Sequence, residues 1–200
     1  MLYEKSTSNL KQVKDEEQML LTHMYQRTGL VSLSGLTHLD IGTCTGRYLK
    51  WAYDKGCRNI YGIDESKNSI DFCKKNIHFN TSLINGSCAN KSTYNKIEKI
   101  HSCTVMLGTI NHLDELQLIS FLRILGDVIN FEGVLAVSSW LIPPIGLTIY
   151  NNFQAQLLYE RSKLLNFNLF ELYGFKLINV QYTSHLRINL FINYKNWGVA

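Results

Sequence analysis

Short apolar runs alternate with helical segments along this chain, and that alternation constrains the fold more than any other feature. "THLDI" (37–41), "NIYGID" (59–64), "SLING" (82–86), "KIHSCTVML" (99–107) and "GVLAVSS" (133–139) read as strands. "RYLKWAYDKG" (47–56) and "KNSIDFCKKN" (67–76) read as helices between them. A stronger helix follows Asp114, with Gln117 placed for a capping box and Leu116, Ile119, Leu122, Leu125 and Ile129 at helical spacing. Strands separated by helices pair in parallel, because the crossover returns the chain to the same end of the sheet. "FKLINVQY" (175–182) and "HLRINLFINY" (185–194) are joined too closely for a crossover, so this pair runs antiparallel. The expected architecture is α/β: a mostly parallel seven-stranded sheet, helices on both faces and an antiparallel last strand.

Two further helices flank this pattern. Residues from Asn9 to Thr28 carry a partly apolar stripe of Leu10, Val13, Glu17, Leu20, Leu21 and Met24, with Gly29 as the stop. Residues 151–170 read as another helix. No linker, repeat or low-complexity tract divides the chain, so residues 1–200 are expected to form one domain, with residues 1–34 as a helical cap.

Composition narrows the class. Hydrophobic residues make up 46% and charged residues 18%, as in a globular protein. No apolar run is long enough to cross a bilayer, and the polar start "MLYEKSTSNLKQVKDEEQ" lacks a secretory core. A cytoplasmic location without a membrane partner is expected. The net charge of +4 comes from scattered residues, so no nucleic-acid partner is expected. The five cysteines form no CxxC pair and no histidine pair has ligand spacing, so no metal is expected.

The chemistry concentrates where the first strand ends, at "LDIGTCTGRY" (39–48). In a parallel sheet, ligands bind beyond the C-terminal ends of the strands. Gly42 and Gly46 let the backbone turn sharply and approach a ligand without side chains between. Asp64, in "YGIDES", ends the second strand about twenty residues on, where a carboxylate accepts hydrogen bonds from ribose hydroxyls. The glycine spacing does not fit the GxGxxG of dinucleotide sites, and Asp40 would repel a pyrophosphate. An ammonium or sulfonium would be welcome there. The pattern therefore points to a single nucleoside bearing a cation.

These residues resemble the motifs of class I S-adenosylmethionine-dependent methyltransferases of the small-molecule type. "LDIGTCTGRY" is similar to their acidic residue followed by GxGxG, and "IYGIDES" to their second-strand motif. "VMLGTINHL" (105–113) and "VINFEGVLAVSS" (128–139) resemble the segments around their fourth and fifth strands. The resemblance spans residues 35–195. It implies S-adenosylmethionine as cofactor, with Asp40 near its amino group and Gly42, Thr43, Cys44, Gly46, Arg47 and Tyr48 around its methionine part. It also implies that Asp64 holds the ribose, that Glu65 and Ser66 flank the adenine, and that Leu107, Gly108 and Thr109 pass behind the cofactor. Two departures stand out. Cys44 replaces the middle glycine, and Ser87, followed by Cys88, stands where the family often has an aspartate facing adenine.

The acceptor side is less marked. Methyl transfer is an in-line displacement at an activated carbon, so the protein mainly aligns the reactants. His112 and Asn111 follow the fourth strand and are the candidates for a base or an orienting group. The long segment 139–170 is a candidate lid, with Trp140 and Tyr150 facing a small-molecule acceptor and Tyr25 of the N-terminal helix opposite. "LIPPIG" (141–146) reads as a rigid turn. His23, His38, His78, His101 and His185 receive no role. Two other readings share the fold: an enzyme that consumes S-adenosylmethionine itself by cyclisation, releasing methylthioadenosine, and a non-catalytic binder of the same compound.

Overall fold

The structure is a computed structural model that describes residues 2–142, 152–165 and 168–195. Its strands are β1 (Thr37–Ile41), β2 (Asn59–Asp64), β3 (Ser82–Asn85), β4 (Ile100–Val105), β5 (Ile129–Trp140), β6 (Phe175–Tyr182) and β7 (Leu186–Asn193). They form one sheet in the order β3-β2-β1-β4-β5-β7-β6. Pairings from β3 through β5 are parallel, while β7 is antiparallel to both β5 and β6. This is the expected architecture, with β7 threaded between β5 and the edge strand.

Helices cover both faces. α1 (Leu2–Arg27), α2 (Arg47–Asp54) and α3 (Lys67–Asn76) contribute to one layer, and α4 (Glu115–Val128) and α6 (Asn168–Leu172) to the other. The period-two alternation of β1 sorts its residues between them. Leu39 and Ile41 join the α4 side, which packs Phe121, Leu122, Leu125 and Phe170 against Val105, Leu135 and Phe191. His38 and Asp40 face the other way, toward Leu21, Met24, Tyr25 and Trp51. Each large side chain buried in these layers contributes about 1.5–3 kcal/mol of transfer free energy.

Several expected boundaries shift. α1 starts at Leu2 rather than Asn9. The helix expected over 151–170 is two helices, α5 (Asn152–Leu164) and α6; within α6, Phe170 is fully buried and stacks on Phe191 at 4.6 Å. β5 starts at Ile129, not Gly133. Ile129 pairs with Ile100, Glu132 adopts φ +59°, and regular pairing resumes at Ser102 with Val134. In α4 the capping box between Asp114 and Gln117 is present, but Leu116 is 77% exposed and Leu118 and Phe121 face the core instead.

Candidate active site

A cleft of about 600 Å³ opens at the C-terminal ends of the parallel strands. The glycine turn supplies Ile41, Gly42 and Cys44. The ends of β2 and β3 supply Asp64, Glu65, Ser66, Gly86, Ser87 and Cys88. Leu107, Thr109 and His112 follow β4, Trp140 ends β5, and Lys14 reaches in from α1.

The turn is held by a run of alternating left-handed residues: Gly42 at φ +74°, Cys44 at +47° and Gly46 at +78°. Gly42 is confined further, because a Cβ there would lie 2.5 Å from the Thr109 side chain. Cys44 is the residue of the three that keeps a Cβ in this region. Its N–H donates to Asp64 Oδ2 at 2.8 Å, and the Ser66 N–H donates to Asp64 Oδ1 at 2.8 Å. Asn85 donates through Nδ2 to the carbonyls of Asp64 and Glu65. Asp64 is thus both a wall of the cleft and the tie between the tips of β1 and β2. The Cys44 thiol is pushed up by burial first, so it remains a neutral thiol at pH 7.

Asp40 is not among the lining residues and is 1% exposed. Its Oδ1 accepts from the Thr104 hydroxyl at 2.8 Å, while its Oδ2 has no partner among the described residues. Burial raises this carboxyl to about 7, the Thr104 hydrogen bond opposes the rise, and the Asp64 and Glu17 charges add to it.

Glu17 was legible only as a polar intruder in the apolar stripe of α1. It is fully buried and accepts from the Leu107 N–H at 2.9 Å, from the Tyr48 hydroxyl and from Ser138. Burial pushes its carboxyl above the usual range, against the pull of those donors and of Arg47. Lys14, one helical turn earlier on α1, is the only lysine or arginine lining the cleft among the described residues. Neither residue was singled out from the sequence.

The turn after β4 completes the floor. Leu107 has φ +54° and Gly108 +69°. The Trp140 indole lies so close to Gly108 that a Cβ there would meet Nε1 at 2.2 Å. The His112 side chain lines the cleft, and its carbonyl accepts from Arg161 of α5 at 2.7 Å. Burial and then the Arg161 charge hold its imidazole below the ordinary histidine value.

Other expected site residues take different places. Thr43, Gly46, Arg47, Tyr48, Gly108 and Asn111 are not among the lining residues. Arg47 pairs with Asp15 at 2.7 Å, and Tyr48 turns its hydroxyl to Glu17. Thr43 packs over Gly62. Asn111 is buried and accepts from the Trp140 N–H at 3.2 Å, so it braces the wall rather than facing an acceptor. The expectation for Tyr25 is corrected: it is 2% exposed, edge-on to Trp51, and bonded to Ser102 in the core. Tyr150 lies outside the described residues.

Comparison with known proteins agrees with this fold. Residues 39–121 match a family model described as a methyltransferase domain. No curated protein matches the chain. Among solved structures, it is similar to a TehB-like SAM-dependent methyltransferase from Corynebacterium glutamicum, at 13% identity over 94% of this chain and 98% of that one, with a TM-score of 0.60. The N-methyltransferase NodS from Bradyrhizobium japonicum aligns at 12% identity, 91% and 97% coverage and TM-score 0.61. Magnesium protoporphyrin IX methyltransferase from Synechocystis, solved with bound SAM, aligns at 12% identity, 94% and 83% coverage and TM-score 0.65. At these identities the likeness is one of fold. The chain has the fold of the class I S-adenosylmethionine-dependent methyltransferases, and residues 39–121 match the methyltransferase-domain model in sequence.

Proposed function

We propose that the protein transfers the methyl group of S-adenosylmethionine to a small-molecule acceptor. The observation that carries this reading is Asp40 Oδ2, a buried carboxylate oxygen without a partner among the described residues, on the residue that precedes the lining residues Ile41 and Gly42. A buried carboxylate in that state calls for a cation or a strong donor. The α-ammonium of the cofactor's methionine part has that character. The opposite end of the cleft suits a nucleoside: Asp64 retains lone pairs for ribose hydroxyls beyond its two backbone bonds, and Ser87 and Cys88 offer an adenine edge. Lys14 is placed to meet a carboxylate at the methionine end.

When bound, the cofactor supplies a methyl carbon already activated by a sulfonium leaving group. The chain's own residues supply alignment and proton removal. His112, held below its usual pKa, is neutral at pH 7 and can accept a proton from a hydroxyl or ammonium acceptor. Trp140 and Leu113 offer apolar surface to the acceptor. α5 is a described part of the expected lid, with Arg161 tying it to the His112 carbonyl. The neighbour named as magnesium protoporphyrin IX methyltransferase acts on a small molecule, which supports the acceptor class. All five cysteines are free thiols, which suits a reducing compartment such as the cytoplasm.

The test is product analysis. Purified protein, S-adenosylmethionine and a small-molecule extract should yield S-adenosylhomocysteine. Methylthioadenosine in its place would assign the compound as the substrate of a cyclisation or lysis. Failure to bind S-adenosylmethionine would remove the reading.

A further inference from the structure

The face of β1 and β4 that meets α1 and α2 carries polar side chains where apolar ones would be expected. His38 pairs across the strands with Ser102, and Asp40 with Thr104. His38, Ser102 and Thr104 are fully buried, beside Trp51, whose ring lies 5.8 Å from the imidazole. A polar cluster at this depth is costly unless every group is satisfied.

The contacts form an unbranched chain. Tyr25 Oη lies 2.9 Å from Ser102 Oγ, Ser102 Oγ 2.9 Å from His38 Nδ1, and His38 Nε2 3.2 Å from Thr104 Oγ1. Thr104 Oγ1 lies 2.8 Å from Asp40 Oδ1. Counting hydrogens fixes the direction of every bond when Asp40 is ionised. A carboxylate only accepts, so the one Thr104 hydroxyl hydrogen goes to Asp40. Thr104 must then accept, which puts the hydrogen of the imidazole on Nε2. Burial keeps that imidazole neutral, its pKa lowered to about 3, so Nδ1 is an acceptor and takes the Ser102 hydrogen. The Tyr25 hydroxyl is left to donate to Ser102. Each bond therefore points its positive end toward Asp40.

We propose that His38 is a positioning residue for Asp40: with Tyr25, Ser102 and Thr104 it forms a one-way hydrogen-bonded chain that fixes Oδ1, favours the ionised carboxylate and leaves Oδ2 for a cation. The identity of that cation as the ammonium of S-adenosylmethionine rests on the function proposed above; the chain itself does not. Opposing influences surround the group. Glu17 on α1 and Asp64 on β2 both disfavour a further negative charge. Tyr48 on α2, Cys73 on α3, Cys103 on β4 and Cys44 in the turn face the same carboxylate but stay neutral, all raised by burial. Lys14 and Arg47 are the nearby cations, Lys14 acting on Cys44 and Arg47 on Glu17. Among the neutral groups, Thr104 touches the carboxylate directly, so the chain behind it sets how strongly that hydroxyl donates.

Two measurements on the full chain test this. Nitrogen-15 NMR of histidine-labelled protein should show His38 as the Nε2–H tautomer, unprotonated from about pH 5.5 to 8. An Nδ1–H tautomer in the ionised state of Asp40 would overturn the proposal. Carbon-13 NMR of the Asp40 carboxyl, without added ligand, should give a titration midpoint that rises by about one pH unit in Thr104→Val. Thr104→Ser should return it to the wild-type value. Tyr25→Phe, which keeps the ring on Trp51, should give a smaller rise. An unchanged midpoint in both Thr104→Val and Tyr25→Phe would overturn the proposal. Calorimetry with S-adenosylmethionine then separates the two ideas. If the wild type does not bind at any pH, the cofactor reading falls while the NMR results still decide the chain.

Discussion

Glu17 and Leu107 are 90 positions apart in sequence, yet the carboxylate of one accepts the backbone N–H of the other at 2.9 Å. The bond joins the N-terminal helix to the turn that carries His112. Because Tyr48 and Ser138 donate to the same carboxylate, Glu17 is the point where α1, α2, β5 and the post-β4 turn meet.

Glu17→Ala should strip three buried donors of their acceptor at once. Each costs about 1–3 kcal/mol when left unsatisfied, so the loss should be several kcal/mol and should loosen α1. Hydrogen exchange would read this as faster exchange along α1 and at Leu107, with β2 and β3 unaffected.

Asp40→Asn should separate stability from binding. The folded-state pKa of Asp40 is raised from 3.8 to about 7. Between those values the unfolded chain has released a proton that the folded chain retains, so this group's contribution falls as pH rises from 4 to 7. Over the full interval that contribution is roughly 4 kcal/mol. Denaturant titrations of ligand-free protein should therefore show Asn gaining on wild type toward pH 8. Calorimetry at pH 8 should show the same variant binding S-adenosylmethionine more weakly by tenfold or more, since the buried negative charge is gone.

Asp64→Ala should weaken S-adenosylmethionine binding by about 1–3 kcal/mol through lost hydrogen bonds. It should also free the Cys44 and Ser66 N–H groups, so the turn should exchange faster in the ligand-free protein. An unchanged dissociation constant would displace the ribose from this end of the cleft.

His112→Ala should slow turnover far more than it weakens cofactor binding. With the histidine pKa held below 6.5 by burial and the Arg161 charge, the base form predominates at neutral pH. The pH–rate profile should lose activity only on the acid side, with its inflection below 6.5, and Arg161→Gln should move that inflection upward.

Cys44→Gly should stabilise the protein by about 1 kcal/mol, because glycine adopts φ +47° without the Cβ clash. A thermal shift of a few degrees would register it. Cofactor affinity should hold, because the contact from the turn to Asp64 is made by the Cys44 backbone.

The sheet was legible because its signals are local. β1, β2 and α3 are each set by a run of a few residues, and the Asp114 capping box is written within four positions. The glycine turn and Asp64 were legible for the same reason. Tyr25, Arg47 and Tyr48 were misplaced because their partners, Ser102, Asp15 and Glu17, lie 77, 32 and 31 positions away. Glu17 was hidden by its company: in a stripe of leucines a carboxylate reads as tolerated, and only the arrival of three donors from other elements shows it to be required. His38 was passed over for a like reason, since nothing next to it in the chain bonds its ring and its partners come from β4.

The indole of Trp140, lying against Gly108, has a consequence for how this enzyme can diverge. Enlarging residue 108 would drive the ring out of its place in the cleft wall, whereas shortening residue 140 would open a void beside the backbone that leads to His112. Changes in the shape of the cleft should thus run through position 140 and spare position 108.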